Sequence, residues 1–174
     1  MMKTTMIAAA LGLLGAGAAR AEVTESQPNG FEVRHQVMIA APAATVWATL
    51  VQPSRWWASA HTWSGSAANL SLGAASGGCF CERLPNGGSV LHMTTAYAAP
   101  GSRLVLTGGL GPLQSSGASG ALTFDLAEKD GQTTVTVTYD VGGYFKGGLD
   151  KIAGSVDGVL GQQVAGLKAA AETK

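Results

Sequence analysis

Charge is scarce in this sequence of 174 residues. Charged side chains make up 13% of it, with 11 Lys and Arg against 11 Asp and Glu, about half the usual share for a soluble domain. Without a basic cluster the chain is unsuited to nucleic acid, whose binding rests on neutralising phosphates with Lys and Arg. The motifs of nucleophilic and metal catalysis are also lacking. There is no G-x-S-x-G turn, no H-E-x-x-H helix and no glycine loop joining a strand to a helix. The run GGLG at Gly108 to Gly111 follows a strand pattern but leads into PLQSSG, so it reads as an edge or cavity-mouth turn. Internal repeats and low-complexity linkers are missing too. The apolar run MIAAALGLLGAGAA, from Met6 to Ala19, falls short of the roughly 20 residues that span a bilayer.

That run follows Lys3 and precedes the small-x-small pattern Ala19-Arg20-Ala21, the layout of a secretory signal peptide over residues 1–21. The reading predicts a mature chain that starts at Glu22, is periplasmic or secreted, and has no stable membrane insertion after cleavage. What remains suits one domain with a proper core. Losing Lys3 and Arg20 leaves a slight acidic excess, and so few charges point to small, apolar partners.

Residues 22–30 read as a polar lead-in. Phe31, Val33, His35, Val37 and Ile39 then alternate with polar neighbours, as in a half-buried strand. Pro42 opens a short helix through Val46, Trp47 and Leu50, and a second short helix is expected beyond Pro53. Hairpin turns are marked at Asn86-Gly87, Pro100-Gly101 and Asp130-Gly131. The last pairs Leu126 with Val135, Phe124 with Val137 and Leu122 with Tyr139. From Leu149 to Ala171, Leu149, Ile152, Val156, Val159, Gln163 and Leu167 make one stripe of a long helix, with Asp150, Asp157 and Lys168 toward water.

The expected fold is α+β: a curved seven-stranded antiparallel sheet wrapped around a long C-terminal helix, with two short helices after strand one. The chain resembles the START-like superfamily, also called SRPBCC or Bet v 1-like, of helix-grip fold. The resembling stretches are VMIAAPAATVWATL, GGCFCE, PGSRLVLTGGLG and GLDKIAGSVDGVLGQQVAGL. Within the superfamily it is most similar to the polyketide cyclase/dehydrase and Hsp90-ATPase-activator-homologue types, with the domain spanning residues 31–171.

Two cysteines, a glutamate and a histidine crowd the segment GGCFCERLPNGGSVLHM. Counting back from a two-residue Asn86-Gly87 turn puts Cys81 opposite His92 and Glu82 opposite Leu91; the same count at Pro100-Gly101 puts Leu104 opposite Tyr97. Phe80, Glu82, Met93, Tyr97 and Leu106 then share the concave face. Cys79, Cys81 and His92 share the convex one. Two cysteines at i and i+2 of a flat strand have Cα atoms about 6.6 Å apart, long for a disulfide unless the strand bulges, so free or easily reduced thiols are expected. Cys79, Cys81 and His92 could instead offer three soft metal ligands, but no fourth is evident, and the expectation is no metal and no cofactor.

His35 and Tyr139 face inward and, with Glu82 and Tyr97, give a mostly apolar cavity a few polar groups, while Phe124 adds to its apolar wall. Trp56, Trp57, His61 and Trp63 fall where the resemblance places a cavity mouth. The leading expectation is an exported binder of a small apolar or amphipathic ligand held between sheet and C-terminal helix. Its expected contacts are His35, Trp56, Trp57, Trp63, Phe80, Glu82, Met93, Tyr97, Leu106, Phe124 and Tyr139. The alternative is a polyketide cyclase-like or hydrolase-like enzyme using Glu82 and His35 as acid and base, for which Glu82 would have a raised pKa. Stimulation of Hsp90 is implied by the resemblance alone, and export argues against it.

Overall fold

The computed structural model describes residues 20–173. The predicted signal segment lies outside them, apart from Arg20 and Ala21. The described chain runs β1 (Arg20–Gln27), β2 (Gly30–Ile39), α1 (Ala43–Leu50), β3 (Leu70–Leu72), β4 (Cys79–Arg83), β5 (Ser89–Ala99), β6 (Arg103–Gly108), β7 (Gly117–Lys129), β8 (Gln132–Tyr144) and α2 (Ala153–Glu172). All eight strands form one antiparallel sheet in the order β1-β2-β8-β7-β6-β5-β4-β3, and α2 packs on it to give the helix-grip arrangement.

The sheet has one strand more than the seven expected. The extra strand is the lead-in: the chain reverses at Pro28 and Asn29, and β1 pairs with β2 from Arg20↔Gln36 to Gln27↔Gly30. β1 is an edge strand whose side chains from Glu22 on are mostly exposed, so it has no apolar alternation to betray it. The second short helix is likewise replaced, by three single 3-10 turns at Pro53–Arg55, Ser59–His61 and Ala67–Asn69.

The register at Asp130-Gly131 is as expected, with Leu126↔Val135, Phe124↔Val137 and Leu122↔Tyr139. Both turn residues have positive φ, 52° and 75°, the geometry of a two-residue turn that matches strand twist. The other two hairpins depart from the count. Arg83 pairs with Ser89, so five residues turn the chain where two were expected, and a bulge between Phe80 and Cys81 absorbs the shift. Phe80↔Met93 and Cys79↔Thr94 stand as expected, but Cys81 faces Leu91 and Glu82 faces Val90. At the next hairpin Ala99 pairs with Arg103, so three residues turn the chain and Leu104 faces Ala98 rather than Tyr97, and a second bulge, between Thr95 and Tyr97, restores Thr95↔Leu106. Each bulge moves a side chain to the other face. His92 is thereby buried beside Met93, while Leu91 and Tyr97 are exposed.

α2 begins at Ala153, after a 3-10 turn at Leu149–Lys151. Leu160, Val164, Leu167 and Ala171 are buried on the sheet, and burial of each large aliphatic side chain contributes roughly 1.5–3 kcal/mol. That offsets the roughly 1 kcal/mol cost of each of the helix's glycines. Two of these permit close approach: a Cβ at Gly166 would run into the Trp56 carbonyl, and one at Gly161 would stand 3.2 Å from His35 Cε1. Asp157 is not simply solvated, as the stripe implied. Its Oδ1 lies 2.9 Å from His35 Nε2, an ion-pair distance with poor hydrogen-bond alignment, so neither atom has a proper hydrogen bond.

Candidate functional site

Two spaces adjoin the apolar interior. One, enclosed by Leu50, Trp56, Phe80, Leu104, Leu106 and Phe124 among others, has a volume of about 10 Å³. That is barely room for one water, so the middle of the sheet is a packed core. The other is a cleft of about 510 Å³, within the range of small-molecule sites. Its walls are the 57–63 segment, the turn Leu110 to Pro112, His92 of β5, and Ile152, Ser155, Val156, Val159 and Leu160 at the start of α2.

The expected ligand contacts divide between these places. Trp63 lines the cleft, Trp57 lines both the cleft and the small void, and Trp56, Phe80, Leu106 and Phe124 line the void alone. Met93 is core, and His35 is covered by α2 and Asp157. Tyr97, expected to face inward, is on the outer face and half exposed. Tyr139 is buried; its hydroxyl accepts from Leu110 N and donates to Gly108 O, both at 3.2 Å, so it fixes the turn at the cleft mouth. Burial pushes its phenol up to about 12 although the Leu110 amide opposes this.

Glu82 is fully buried behind the cleft. Its Oε1 accepts from Ser64 N at 2.5 Å, and its Oε2 accepts from Trp63 N at 3.1 Å and His92 Nε2 at 2.9 Å. Burial raises the carboxyl's pKa, but hydrogen bonding from Ser64, Trp63 and His92 outweighs it and holds the group below its ordinary value. The raised pKa expected from an apolar setting is therefore corrected: two backbone amides and a histidine solvate the charge.

The proton positions follow from donor inventories. The Trp63 indole can only donate, and it donates to Gln114 Oε1 at 2.9 Å. Gln114 Nε2 therefore faces His92 Nδ1, at 3.2 Å, and Leu91 O. His92 must accept at Nδ1 and carry its proton on Nε2, toward Glu82. Burial pushes the His92 pKa down, more than Glu82 raises it, so the ring is neutral near pH 7.

A second histidine in the cleft is fixed in the same way. Gln163 is buried; its Oε1 accepts from Ala58 N at 2.8 Å, so its Nε2 donates to His61 Nδ1 at 2.8 Å and to Val159 O at 3.1 Å. Gln163 stood in the predicted apolar stripe, and its amide ties α2 to the turn that carries His61. His92 was missed because the face count assumed no bulge. The signal available was loop length: with Pro85 before Asn86 and a further glycine after Gly87, a longer turn was open to the chain.

Cys79 and Cys81 are joined in a disulfide, contrary to the free thiols expected. Their Cα atoms stand 5.4 Å apart, closer than in a flat strand and inside the range a disulfide bridges. The two cysteines share the face opposite Phe80 and Glu82, whereas His92 is bonded to Glu82. The three proposed soft ligands therefore do not converge.

The chain matches the family described as polyketide cyclase / dehydrase and lipid transport over residues 30–172. The comparison with curated proteins finds no match. Among solved structures, an uncharacterized protein from Rhizobium leguminosarum is similar with a TM-score of 0.62 and 17% identity, covering 90% of this chain and 99% of that one. A protein from Chromobacterium violaceum gives 0.59 and 16%, covering 85% and 100%. CalU16 from Micromonospora echinospora gives 0.58 and 12%, covering 90% and 87%. At these identities the structures share the fold. The family match extends over most of the chain, and the chain belongs to the polyketide cyclase / dehydrase and lipid transport family, of SRPBCC type.

Proposed function

We propose that this member of the family is an exported carrier or sensor that binds one small apolar or amphipathic molecule in the cleft against α2. The observation that carries the reading is the cleft itself: about 510 Å³, walled by Trp57, Trp63, Leu110, Ile152, Val156 and Val159, with no Asp, Glu, Lys or Arg among the described residues that line it. An apolar wall with a few fixed polar groups is the composition of a small-molecule site. Export rests on the leader at residues 1–21; cleavage after Ala21 would leave Glu22↔Arg34 as the first pair of β1. N-terminal sequencing of the mature protein should begin at Glu22, and a mature chain retaining Met1 overturns export.

Binding is tested with Nile red, a neutral dye that brightens in apolar sites. The parent should bind it saturably, and Val159→Trp, which projects an indole into the cleft, should lower the affinity at least tenfold. Equal binding by both proteins, or none by the parent, refutes the site. A second reading, an acid–base enzyme of the cyclase or hydrolase kind, is favoured by the 2.9 Å Glu82–His92 bond. In that reading the cleft-lining His92 takes the place expected for His35, whose strand β2 has four strands between it and β4 in the sheet order. Its Nδ1 is covered by Gln114, so the base works only if that amide turns away. The reading predicts chemical change in the bound molecule that His92→Phe abolishes while binding persists; a molecule recovered unaltered from the parent sinks it.

A further inference from the structure

The polar side-chain atoms that line the cleft can be assigned one by one. Both ring nitrogens of His92 are used, by Glu82 and Gln114. The Trp63 indole N–H donates to Gln114, the Trp57 indole N–H to His61 O at 3.0 Å, and the Thr62 hydroxyl to Ser59 O at 2.7 Å. His61 Nδ1 is taken by Gln163. Among the described residues no group bonds His61 Nε2, and none bonds the Ser155 hydroxyl. Since Nδ1 must accept from the Gln163 amide, neutral His61 carries its proton on Nε2. That N–H is the ring donor the residue has left to offer the cleft.

Among the described residues, the lining includes no Lys or Arg to pair an anionic head group and no Asp or Glu to pair an ammonium. Moving an ionised head into such a site costs far more than moving a carbonyl that finds one donor. We infer that the cleft selects an apolar molecule bearing an uncharged hydrogen-bond-accepting oxygen, such as a ketone, ester or quinone carbonyl, anchored on His61 Nε2–H. The inference rests on the binding reading above and specifies its ligand class. Gln163 is a positioning residue: it sets the His61 tautomer without touching the ligand.

The experiment displaces Nile red from the parent and from His61→Phe at about pH 8, with chain-matched probes: 2-undecanone, undecane, undecanoate and undecylammonium. In the parent, 2-undecanone should displace the dye at lower concentration than either charged probe. In His61→Phe its affinity should fall about three- to tenfold, the range of one neutral hydrogen bond, while undecane is unaffected. A measurement independent of the variant is the carbonyl stretch of bound 2-undecanone, which should lie below its value in a hydrocarbon solvent. An unshifted stretch, equal losses for ketone and alkane, or tighter binding of a charged probe overturns the ligand class and leaves the cleft reading standing. Failure of Nile red itself to bind overturns the cleft reading.

Discussion

Glu82→Gln tests the buried network most directly. The carboxylate accepts three hydrogen bonds, from Ser64 N, Trp63 N and His92 Nε2. A glutamine keeps the shape but replaces one accepting oxygen with a donating NH₂. If that NH₂ faces Ser64, one amide loses its acceptor; if it takes the other position, the Trp63 amide and His92 both do. The histidine could respond by moving its proton to Nδ1, but that N–H would then meet the Gln114 amide. Gln114 is held in its present sense by the Trp63 indole. No rearrangement satisfies every donor. A buried donor left unmade costs about 1–3 kcal/mol, so a loss of about 2–3 kcal/mol is expected. For a domain of this size that lowers Tm by about 5–10 °C. Thermal melts at pH 7.5 measure it. Because the folded Glu82 pKa is depressed, its contribution is present above the unfolded value of 4.5 and lost as pH falls through the lower, folded one. The gap between parent and variant should therefore narrow in acid. A variant melting within about 1 °C of the parent at pH 7.5 would show that the network is not holding the fold, and the tautomer argument would fall with it. Glu82 lies behind His92 and is not among the residues that line the cleft.

His92 has a folded pKa below the 6.5 of the free side chain, so the stability it contributes is present above pH 6.5 and lost as pH falls toward the folded value. Melts between pH 8 and 5 should show Tm declining from about 6.5 downward, and His92→Gln should flatten that limb. On α2, a Cβ at Gly154 or Gly158 meets nothing, so Ala at either should stabilise by up to about 1 kcal/mol, read from denaturant midpoints. Gly166→Ala should destabilise instead, because the added methyl meets the Trp56 carbonyl. Thiol titration of denatured, unreduced protein should find close to no free thiol. Because the Cys79–Cys81 bridge closes so short a loop, replacing both with Ser should cost only about 1–2 kcal/mol.

Much of the fold was legible because it is written in periods. The alternation from Phe31 to Ile39 is a strand buried on one face, as observed in β2. Asp130-Gly131 set the register of β7 and β8 because those residue types tolerate the positive φ of a tight turn. The stripe Leu149 to Leu167 gave a helix that covers the sheet. β1 was not legible, since an edge strand paired on one side and largely exposed needs no apolar alternation.

The candidate site divides along the same line. The turn count placed Glu82 on the inner face, the family resemblance placed Trp57, His61 and Trp63 at a cavity mouth, and GGLG read as an edge or mouth turn; all three fit the structure. None of them could determine what Glu82 meets. Side chains alternate with a period of two, so one extra residue in β5 exchanges faces for everything up to the next bulge. Those two bulges bury His92 against Glu82 and turn Tyr97 outward. The location of the empty space was equally beyond the sequence. Leu106, Phe124 and Val159 are all apolar and look alike in a pattern, but the first two fill the core while the third walls a cleft. That distinction depends on where α2 lies over the sheet, a property of the packed chain and of no residue taken singly.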